Sequence, residues 1–564
     1  MQHFVQLFRS IDATTSSNAK IDALVEYFRA AAPADAAWAV YFLSGKRLKR
    51  FITSRDLQLW ARQLTGLPEW LFAECYSSVG DTAETVALLV GNEQTGDSSL
   101  SLQQWLENRI LPLRQLEKAQ QAQAVKGWWQ QLSITECFVL NKMLTGAFRV
   151  GVAKTMVYKA LAQVTGLPQA VIAHRFIGDW QPSADFYRLA VDPEQRRSDS
   201  AKPYPFYLAY PLELDPDHPD SVTTGNQLEN RLGPTDHWLA EWKWDGIRGQ
   251  MLHHQSGVYL WSRGEDVITH QFPELAEAAT QLPQGVVLDG EILCWREGRP
   301  EPFSALQKRL GRKRPSARFL RQYPAVFMAY DLLEYGHLNQ RNQLLAQRKQ
   351  LLATVLDGLS QPSVFRQSPP VAFDSWPMLE QLRQSARHYG VEGLMLKRLD
   401  SPYLSGRKKG DWWKYKVDPY TLDAVLLYAQ PGSGRRASLY TDYTFGVWQD
   451  DELVPVAKAY SGLSDKAINR VDNWIRKNTV ERFGPVRSVR PELVFELAFE
   501  NIAPSPRHKS RLALRFPRIK RWREDKTSRE ADSLTMLEHL LAEKANGVSP
   551  LPAASGRIAS PDQD

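Results

Sequence analysis

At 564 residues the chain exceeds what one ordinary core holds, and a scale of about 150 residues per domain predicts three or four modules. Its 43% hydrophobic and 24% charged residues are those of a folded globular protein and exclude global disorder and a coiled coil. A net charge of +7 and a pI near 9.0 suit a polyanionic partner, while three scattered cysteines (Cys75, Cys137, Cys294) exclude a disulfide framework or a four-cysteine zinc module and predict a reducing cytoplasmic setting.

The N-terminal MQHFVQLFRS has no charged leader with an apolar core, and no run approaches about 18 apolar residues, so secretion and membrane spanning are disfavoured. Residues 1–190 read as helical. Phe4, Leu7, Phe8 and Ile11, then Ile21, Leu24, Val25 and Phe28, recur at the spacing of one buried helical stripe. Further helices are predicted at Thr135 to Leu144 and Val152 to Val164, separated by a turn containing Gly146, Arg149 and Gly151. Repeated prolines with Asp, Asn and Gly predict a connection over 200–237 rather than a core element. Strands follow at Val258 to Leu260, Val286 to Leu288, Ala325 to Tyr330 and Leu394 to Leu396, then from Leu422 to about Val447 and at Leu493 to Phe499. The last residues, from Val548, are small, polar and proline-containing and predict a disordered tail.

The sharpest local feature is Glu241-Trp242-Lys243-Trp244-Asp245-Gly246-Ile247-Arg248. Its four specified positions arise by chance roughly once in 100 chains of this length, so a surface strand ending in an Asp-Gly turn is the plain alternative. Ordered company displaces that alternative. Ser262-Arg263-Gly264-Glu265-Asp266, Leu288-Asp289-Gly290-Glu291, Tyr330-Asp331-Leu332, Val391-Glu392-Gly393-Leu394-Met395-Leu396-Lys397 and Trp413-Lys414-Tyr415-Lys416 follow in turn, each expected at a strand end. Alternation along a strand projects Lys414 and Lys416 from one face and packs Trp413 and Tyr415 on the other.

In this order the chain resembles the covalent nucleotidyltransferases, most closely the ATP-dependent DNA ligases, from the N-terminal helices to about Lys526. The resemblance implies a multidomain α+β fold. It divides into an all-α DNA-binding domain (1–195), a mixed α/β nucleotidyltransferase core of two sheets, similar to ATP-grasp (196–418, with the linker 200–237), an OB-fold β-barrel (419–535) and a tail (536–564). It also implies sealing of 5′-phosphate/3′-hydroxyl nicks through lysyl-AMP and DNA-adenylate, with ATP and Mg²⁺ (or Mn²⁺), by a monomer encircling nicked duplex DNA.

The resemblance assigns Lys243 as the nucleophile within a catalytic set that includes Asp245, Lys414 and Lys416. Glu241 would read the adenine amino group, Arg248 and Arg263 would hold the ribose and the nick phosphate, and Tyr330 would stack on adenine. Glu291 and Glu392 would serve ribose and metal, while Lys414 and Lys416, helped by Arg407, would grip the α-phosphate. From the barrel, Arg518, Asp525 and Lys526 would attend the triphosphate. Arg521, Arg263 and the Gly146–Arg149–Gly151 turn would touch DNA.

The chemistry agrees. An amine attacks phosphorus only when deprotonated, so a lysine nucleophile calls for desolvation and neighbouring cations. Arg507 to Lys526 carries nine basic residues against two acidic ones, a strip suited to phosphates. The plain alternatives are a turn acid for Glu291, a core aromatic for Tyr330, solvated faces for Arg407-Lys408-Lys409 and for Gly45 to Arg50, and a simple helix connection at Gly146. A non-catalytic DNA-binding scaffold, an RNA ligase and a capping guanylyltransferase are the rival functions. The first predicts loss of Lys243, Lys414 or Lys416, all of which are present.

Overall fold

The computed structural model describes residues 1–545 except 15, 50–51, 93–99, 147–150, 179, 195–201, 215–220, 256, 311, 313, 360–363 and 433–437. Its contacts group the chain into two units, one of Met1–Gly166, Pro182–Val191 and Pro419–Ala545, the other containing Leu167–Gln181 and Asp192–Asp418.

In the first unit the N-terminal segment is all helical. Gln2–Asp12 buries Phe4, Leu7, Phe8 and Ile11, and Ser17–Ala30 buries Ile21, Leu24, Val25 and Phe28, the stripes that the spacing predicts. Ile134–Thr145 starts on a Ser133/Glu136 capping box and stops at Gly146 (φ 65°), and Lys154–Thr165 stops at Gly166 (φ 73°). Left-handed C-cap residues of this kind satisfy the last carbonyls of a helix.

The second unit is built on two sheets. Its strands are β1 (Tyr207–Leu208), β2 (Tyr210–Pro211), β3 (Trp238–Trp242), β4 (Ile247–His254), β5 (Gly257–Ser262), β6 (Val286–Arg296), β7 (Arg299–Pro300), β8 (Ala325–Tyr335), β9 (Leu338–Asn339), β10 (Phe365–Gln367), β11 (Gly393–Arg398), β12 (Gly406–Arg407) and β13 (Trp412–Lys416). The larger sheet has the order β10-β8-β6-β4-β5, with β7 on β6 and β9 on β8. The smaller has the order β2-β13-β11-β3, and β1 pairs with β12. One face of the large sheet (Met251, Leu260, Leu288, Ile292, Phe327) packs on Leu275 of Pro273–Ala279 and on Leu352, Val355 and Leu356 of Leu345–Asp357. Each such fully buried side chain contributes about 1.5–3 kcal/mol of hydrophobic stabilisation.

Three sequence expectations need correction. The segment 200–237 is no mere connection: it supplies β1, β2 and the helix Ser221–Leu232, and it buries Tyr204, Tyr207, Leu212 and Leu228. Its described prolines, Pro203, Pro205, Pro211 and Pro234, fall outside the helix, which therefore keeps every backbone donor it needs. Asp289-Gly290-Glu291 and Tyr330-Asp331 lie inside β6 and β8 rather than at strand ends. Fully buried Asp331 is tolerated mid-strand because Arg348 grips both its oxygens at 2.8 and 2.9 Å. The tail assigned to 536–564 begins in a helix, Leu534–Ala545, with Leu537 in the core; 546–564 lie outside the described residues.

The remaining strands, β14 (Tyr420–Pro431), β15 (Tyr440–Gln449), β16 (Glu452–Ala459), β17 (Thr479–Phe483), β18 (Val486–Val489), β19 (Val494–Phe499), β20 (Asn501–Pro504), β21 (Leu512–Arg515) and β22 (Arg518–Trp522), belong to the first unit. Pairing runs β16-β15-β14-β19-β22. The Ile519 N–H then donates to the Ser461 carbonyl at 2.9 Å, which brings β22 back beside the end of β16 and curls the sheet into a half-barrel. Helix Asp465–Asn478 buries Ile468, Val471 and Ile475 against it. Among the described residues, no helix is long and apolar enough to cross a membrane.

Candidate active site

The small sheet separates apolar from charged residues by strand alternation. Trp238, Ala240, Trp242, Leu394, Leu396, Trp413 and Tyr415 share one core with Trp376 and Leu379 of the helix Trp376–Ser385. The other face carries Glu241, Lys243, Met395, Lys397, Lys414 and Lys416. Glu241 lies opposite Met395, which lies opposite Lys414, and Gly393 lies opposite Lys416. The Lys243 N–H donates to the Gly393 carbonyl and the Glu392 N–H to the Lys243 carbonyl, both at 2.8 Å.

Gly393 therefore sits between Lys243 and Lys416. Its φ is +134°, and a Cβ there would stand 2.4 Å from the Tyr415 oxygen, so only glycine fits and no side chain divides the lysines. Lys243 Nζ is ion-paired with Glu392 Oε2, and Lys416 Nζ lies 3.6 Å from the same oxygen. Burial, then the charges of Arg407, Lys243 and Lys416, hold the Lys414 amine below its usual range. The amines of Lys243, Lys414 and Lys416 are thereby clustered on one face of the small sheet.

From Lys243 the chain turns through Asp245-Gly246 into β4. A Cβ on Gly246 would meet the Ile292 oxygen at 2.3 Å, so this glycine lets the turn lie against β6. Arg248 then stands opposite Glu291, which stands opposite Met328. The three nitrogens of Arg248 already donate within the protein: Nε and Nη2 to Asp289 at 3.2 and 2.7 Å, and Nη1 to the Tyr207 carbonyl at 2.7 Å. Despite its burial, Asp289 and its neighbours Tyr330 and Tyr403 hold this guanidinium well above its usual range. Burial pushes Glu291 up to about 8. Lys243 and Arg248 oppose that rise, and Asp289 and Glu392 add to it.

Glu241 is 1% exposed. Lys349 Nζ reaches its Oε1 at 2.7 Å and Lys397 Nζ its Oε2 at 2.6 Å. Burial alone would raise this carboxyl, but the two ammonium groups hold it below the usual range. Lys397 Nζ also lies 4.5 Å from the ring centres of both Tyr330 and Trp412, which links Glu241 to Tyr330. Sequence reasoning missed Lys349 altogether, and it quoted Lys397 only as the end of a motif. A lysine at these positions looks like any other, and only the packing of Leu345–Asp357 gives Lys349 a buried partner.

Glu241, Lys243, Arg248, Glu291, Tyr330, Glu392, Lys414 and Lys416 thus line adjoining strands of one unit, with half-buried Asp245 in the turn between β3 and β4. Arg263 is exposed, its N–H donating to the Arg248 carbonyl at 3.0 Å. Arg407, on β12, is exposed with its guanidinium 6.0 Å from the Tyr210 ring centre.

The barrel residues belong to the other unit, where Arg518 pairs with Glu500 at 3.0 Å, Arg521 with Glu496 at 2.6 Å, Asp525 with Arg523 at 2.7 Å and Lys526 with Asp423 at 2.6 Å. Gly146 and Gly151 both have positive φ, and Lys20, which sequence reasoning did not single out, donates to the Gly151 carbonyl at 2.9 Å. Arg149 lies outside the described residues.

Comparison with known proteins gives three matching family models: the DNA ligase N terminus over residues 1–162, the ATP dependent DNA ligase domain over 223–416, and the ATP dependent DNA ligase C terminal region over 436–526. A probable DNA ligase of Koribacter versatilis is 32% identical, with 96% of each chain covered. A DNA ligase of Methanoculleus marisnigri is 27% identical over 88% of this chain and 92% of its own. Among solved structures, Pmar-Lig_PreS3 superposes with a TM-score of 0.58 at 15% identity, over 92% of this chain and 99% of that one, a likeness of fold.

Proposed function

The chain belongs to the ATP-dependent DNA ligase family, and from that premise we propose that it seals 5′-phosphate/3′-hydroxyl nicks in duplex DNA through an AMP carried on Lys243. The observation that carries this reading is the clustering of Lys243, Lys414 and Lys416 on one sheet face around Gly393 and Glu392.

Lys243 Nζ leaves its ion pair, sheds a proton and attacks the α-phosphorus of ATP. A P–N bond forms as the bond to pyrophosphate breaks. Lys414 and Lys416 hold the α-phosphate oxygens, where charge builds in the transition state. The AMP then passes to the 5′-phosphate of the nick. Attack by the 3′-hydroxyl closes the strand and releases AMP. Glu241, kept ionised by Lys349 and Lys397, meets the adenine amino group, Tyr330 stacks on the base, and Arg248 and Arg263 serve ribose and nick phosphate.

Glu291 and Glu392 offer the hard oxygen donors that Mg²⁺ or Mn²⁺ prefers, and their mutual repulsion is what such an ion relieves. Bound there, the ion would neutralise the triphosphate and polarise the reacting phosphate. Arg518, Asp525 and Lys526 assist loading of AMP, while Arg521 and the Gly146–Arg149–Gly151 turn contact DNA, as one chain wraps the nick. Free Cys75, Cys137 and Cys294 support work in the reducing cytoplasm.

Incubation with ATP labelled at the α-phosphate, followed by denaturing electrophoresis, tests the first step, and closure of a nicked duplex tests the last. Absence of a covalent AMP adduct overturns the assignment. Adduct formation with GTP in place of ATP, or sealing of RNA alone, replaces it with a capping or RNA-joining activity.

A further inference from the structure

Among the described residues, one group of His, Cys, Asp or Glu side chains brings three ligand atoms within 4.8 Å of one another: His254, Glu334 and His337. It stands apart from the lysine cluster. His254 ends β4, six residues beyond Arg248, which is roughly 20 Å along an extended strand.

The large sheet converges these residues. Leu252 lies opposite Val287, and Val287 lies opposite Glu334, so His254, two residues past Leu252, shares their face. The Gly285 N–H donates to the His253 carbonyl at 2.8 Å, and the His337 N–H donates to the Gly285 carbonyl at 3.2 Å. Gly285 has φ +74°, and a Cβ there would come 2.8 Å from the His337 ring. The absent side chain is what lets that ring lie beside His254, with ring centres 5.7 Å apart.

His337 itself has φ 65°, after Gly336 at φ 55°. A non-glycine residue in the left-handed region is uncommon, and such backbone cost concentrates at functional positions. Glu334 is oriented too. The Tyr204 hydroxyl donates to its Oε2, and Oε1 faces His254 Nε2 at 3.9 Å. Tyr204 is anchored by Gln250, which accepts its N–H at 2.7 Å and donates to its carbonyl at 2.9 Å. A carboxylate steadied from behind by a hydrogen-bond donor is the usual second layer of a metal site.

We propose that His254, Glu334 and His337 form a binding site for a divalent transition metal of the zinc class. Two imidazoles and one carboxylate are a donor set that selects zinc over magnesium and leaves a fourth, tetrahedral position for water. His254 is 2% and Glu334 6% exposed, so two donors are fixed in the fold. His337 is exposed and gives the ion a way in. The bound ion ties the ends of β4 and β8 to the Tyr204 segment. It is separate from the Mg²⁺ that serves ATP.

The test uses the full chain, stripped with a chelator and titrated with Zn²⁺ against a chromophoric competitor, and in parallel with Co²⁺, whose visible spectrum reports tetrahedral nitrogen and oxygen ligation. His337→Asn keeps a residue tolerant of positive φ and removes the donor. Zinc affinity falls at least about tenfold in this variant, and the zinc-induced rise in melting temperature disappears. Mg²⁺-supported AMP loading is unchanged, which reports a folded catalytic unit. His254→Gln is the second variant and behaves alike. Equal zinc affinity and equal Co²⁺ spectra in the unmodified chain and both variants overturn the proposal, as does failure of the unmodified chain to bind Zn²⁺.

Discussion

The ammonium of Lys243 is ion-paired with the carboxylate of Glu392, 149 residues further along the chain, and Lys416 approaches the same oxygen. An amine held in this way is directed at a carboxylate, so the pair must open before attack on phosphorus. Lys243→Ala forms no AMP adduct but still closes a nick that already carries 5′-AMP, because the final 3′-hydroxyl attack uses no lysine nucleophile. Labelling of the alanine variant with AMP would remove Lys243 from the role.

Glu291 gives the site a pH dependence. Burial raises it to about 8 from an ordinary 4.5, so the folded protein keeps a proton that the unfolded chain has lost. Its contribution to stability is therefore constant below 4.5, falls as pH rises from 4.5 to 8, and is constant again above that. Glu291→Gln removes this loss, and its melting temperature gains on the unmodified chain across that interval. AMP loading at low Mg²⁺ rises through about pH 8, and its midpoint moves down as Mg²⁺ is added. A midpoint indifferent to Mg²⁺ would separate Glu291 from the metal.

Lys349 and Lys397 both neutralise Glu241 inside the protein. Lys349→Met leaves a buried carboxylate oxygen without its partner and destabilises the second unit by on the order of 3 kcal/mol, read as a lower urea midpoint. The triple change Lys349→Met/Lys397→Met/Glu241→Gln, which leaves no charge in this buried group, recovers part of the loss. No recovery would mean that the helix loses packing, not an ion pair.

Asp525 pairs with Arg523 at the barrel surface, and Lys526 pairs with the buried carboxylate of Asp423. The exposed Asp525 contributes little to stability, and Asp423 keeps its ion pair with Arg523 at 2.8 Å when Lys526 is removed, so replacing both by alanine tests chemistry with little risk to folding. Loading of AMP slows sharply while closure of a pre-adenylated nick is spared. Equal slowing of the two steps would contradict a role confined to the departure of pyrophosphate.

Residues 167–181 cluster with the second unit, where a Cβ on Gly178 would meet the Trp261 ring at 2.9 Å. Removal of residues 1–166 therefore spares that contact, while the helix Ala184–Val191, which clusters with the removed helices, stays behind as a tether. The shortened chain still accepts AMP from ATP but binds a nick more weakly, with a shallower dependence on salt because fewer counterions are released. An unchanged salt slope would argue against DNA contact by the N-terminal helices.

The order of the motifs and the period of each strand are local properties, and they are legible in the sequence. Alternation alone puts Lys414 and Lys416 on one face with Trp413 and Tyr415 on the other, and helical spacing alone picks out Phe4, Leu7, Phe8 and Ile11 as buried. Proline counting failed at 200–237, because prolines mark where a helix cannot continue and say nothing about the helix Ser221–Leu232 between them.

The tertiary structure decided the partners. Glu392 meets Lys243, Lys349 meets Glu241 across 108 residues, and Arg348 neutralises Asp331 inside β8. Gly285 makes room for His337 beside His254. The energy of a buried charge depends on what stands within a few ångströms of it, and that neighbour is set by how helices and strands distant in the chain pack together.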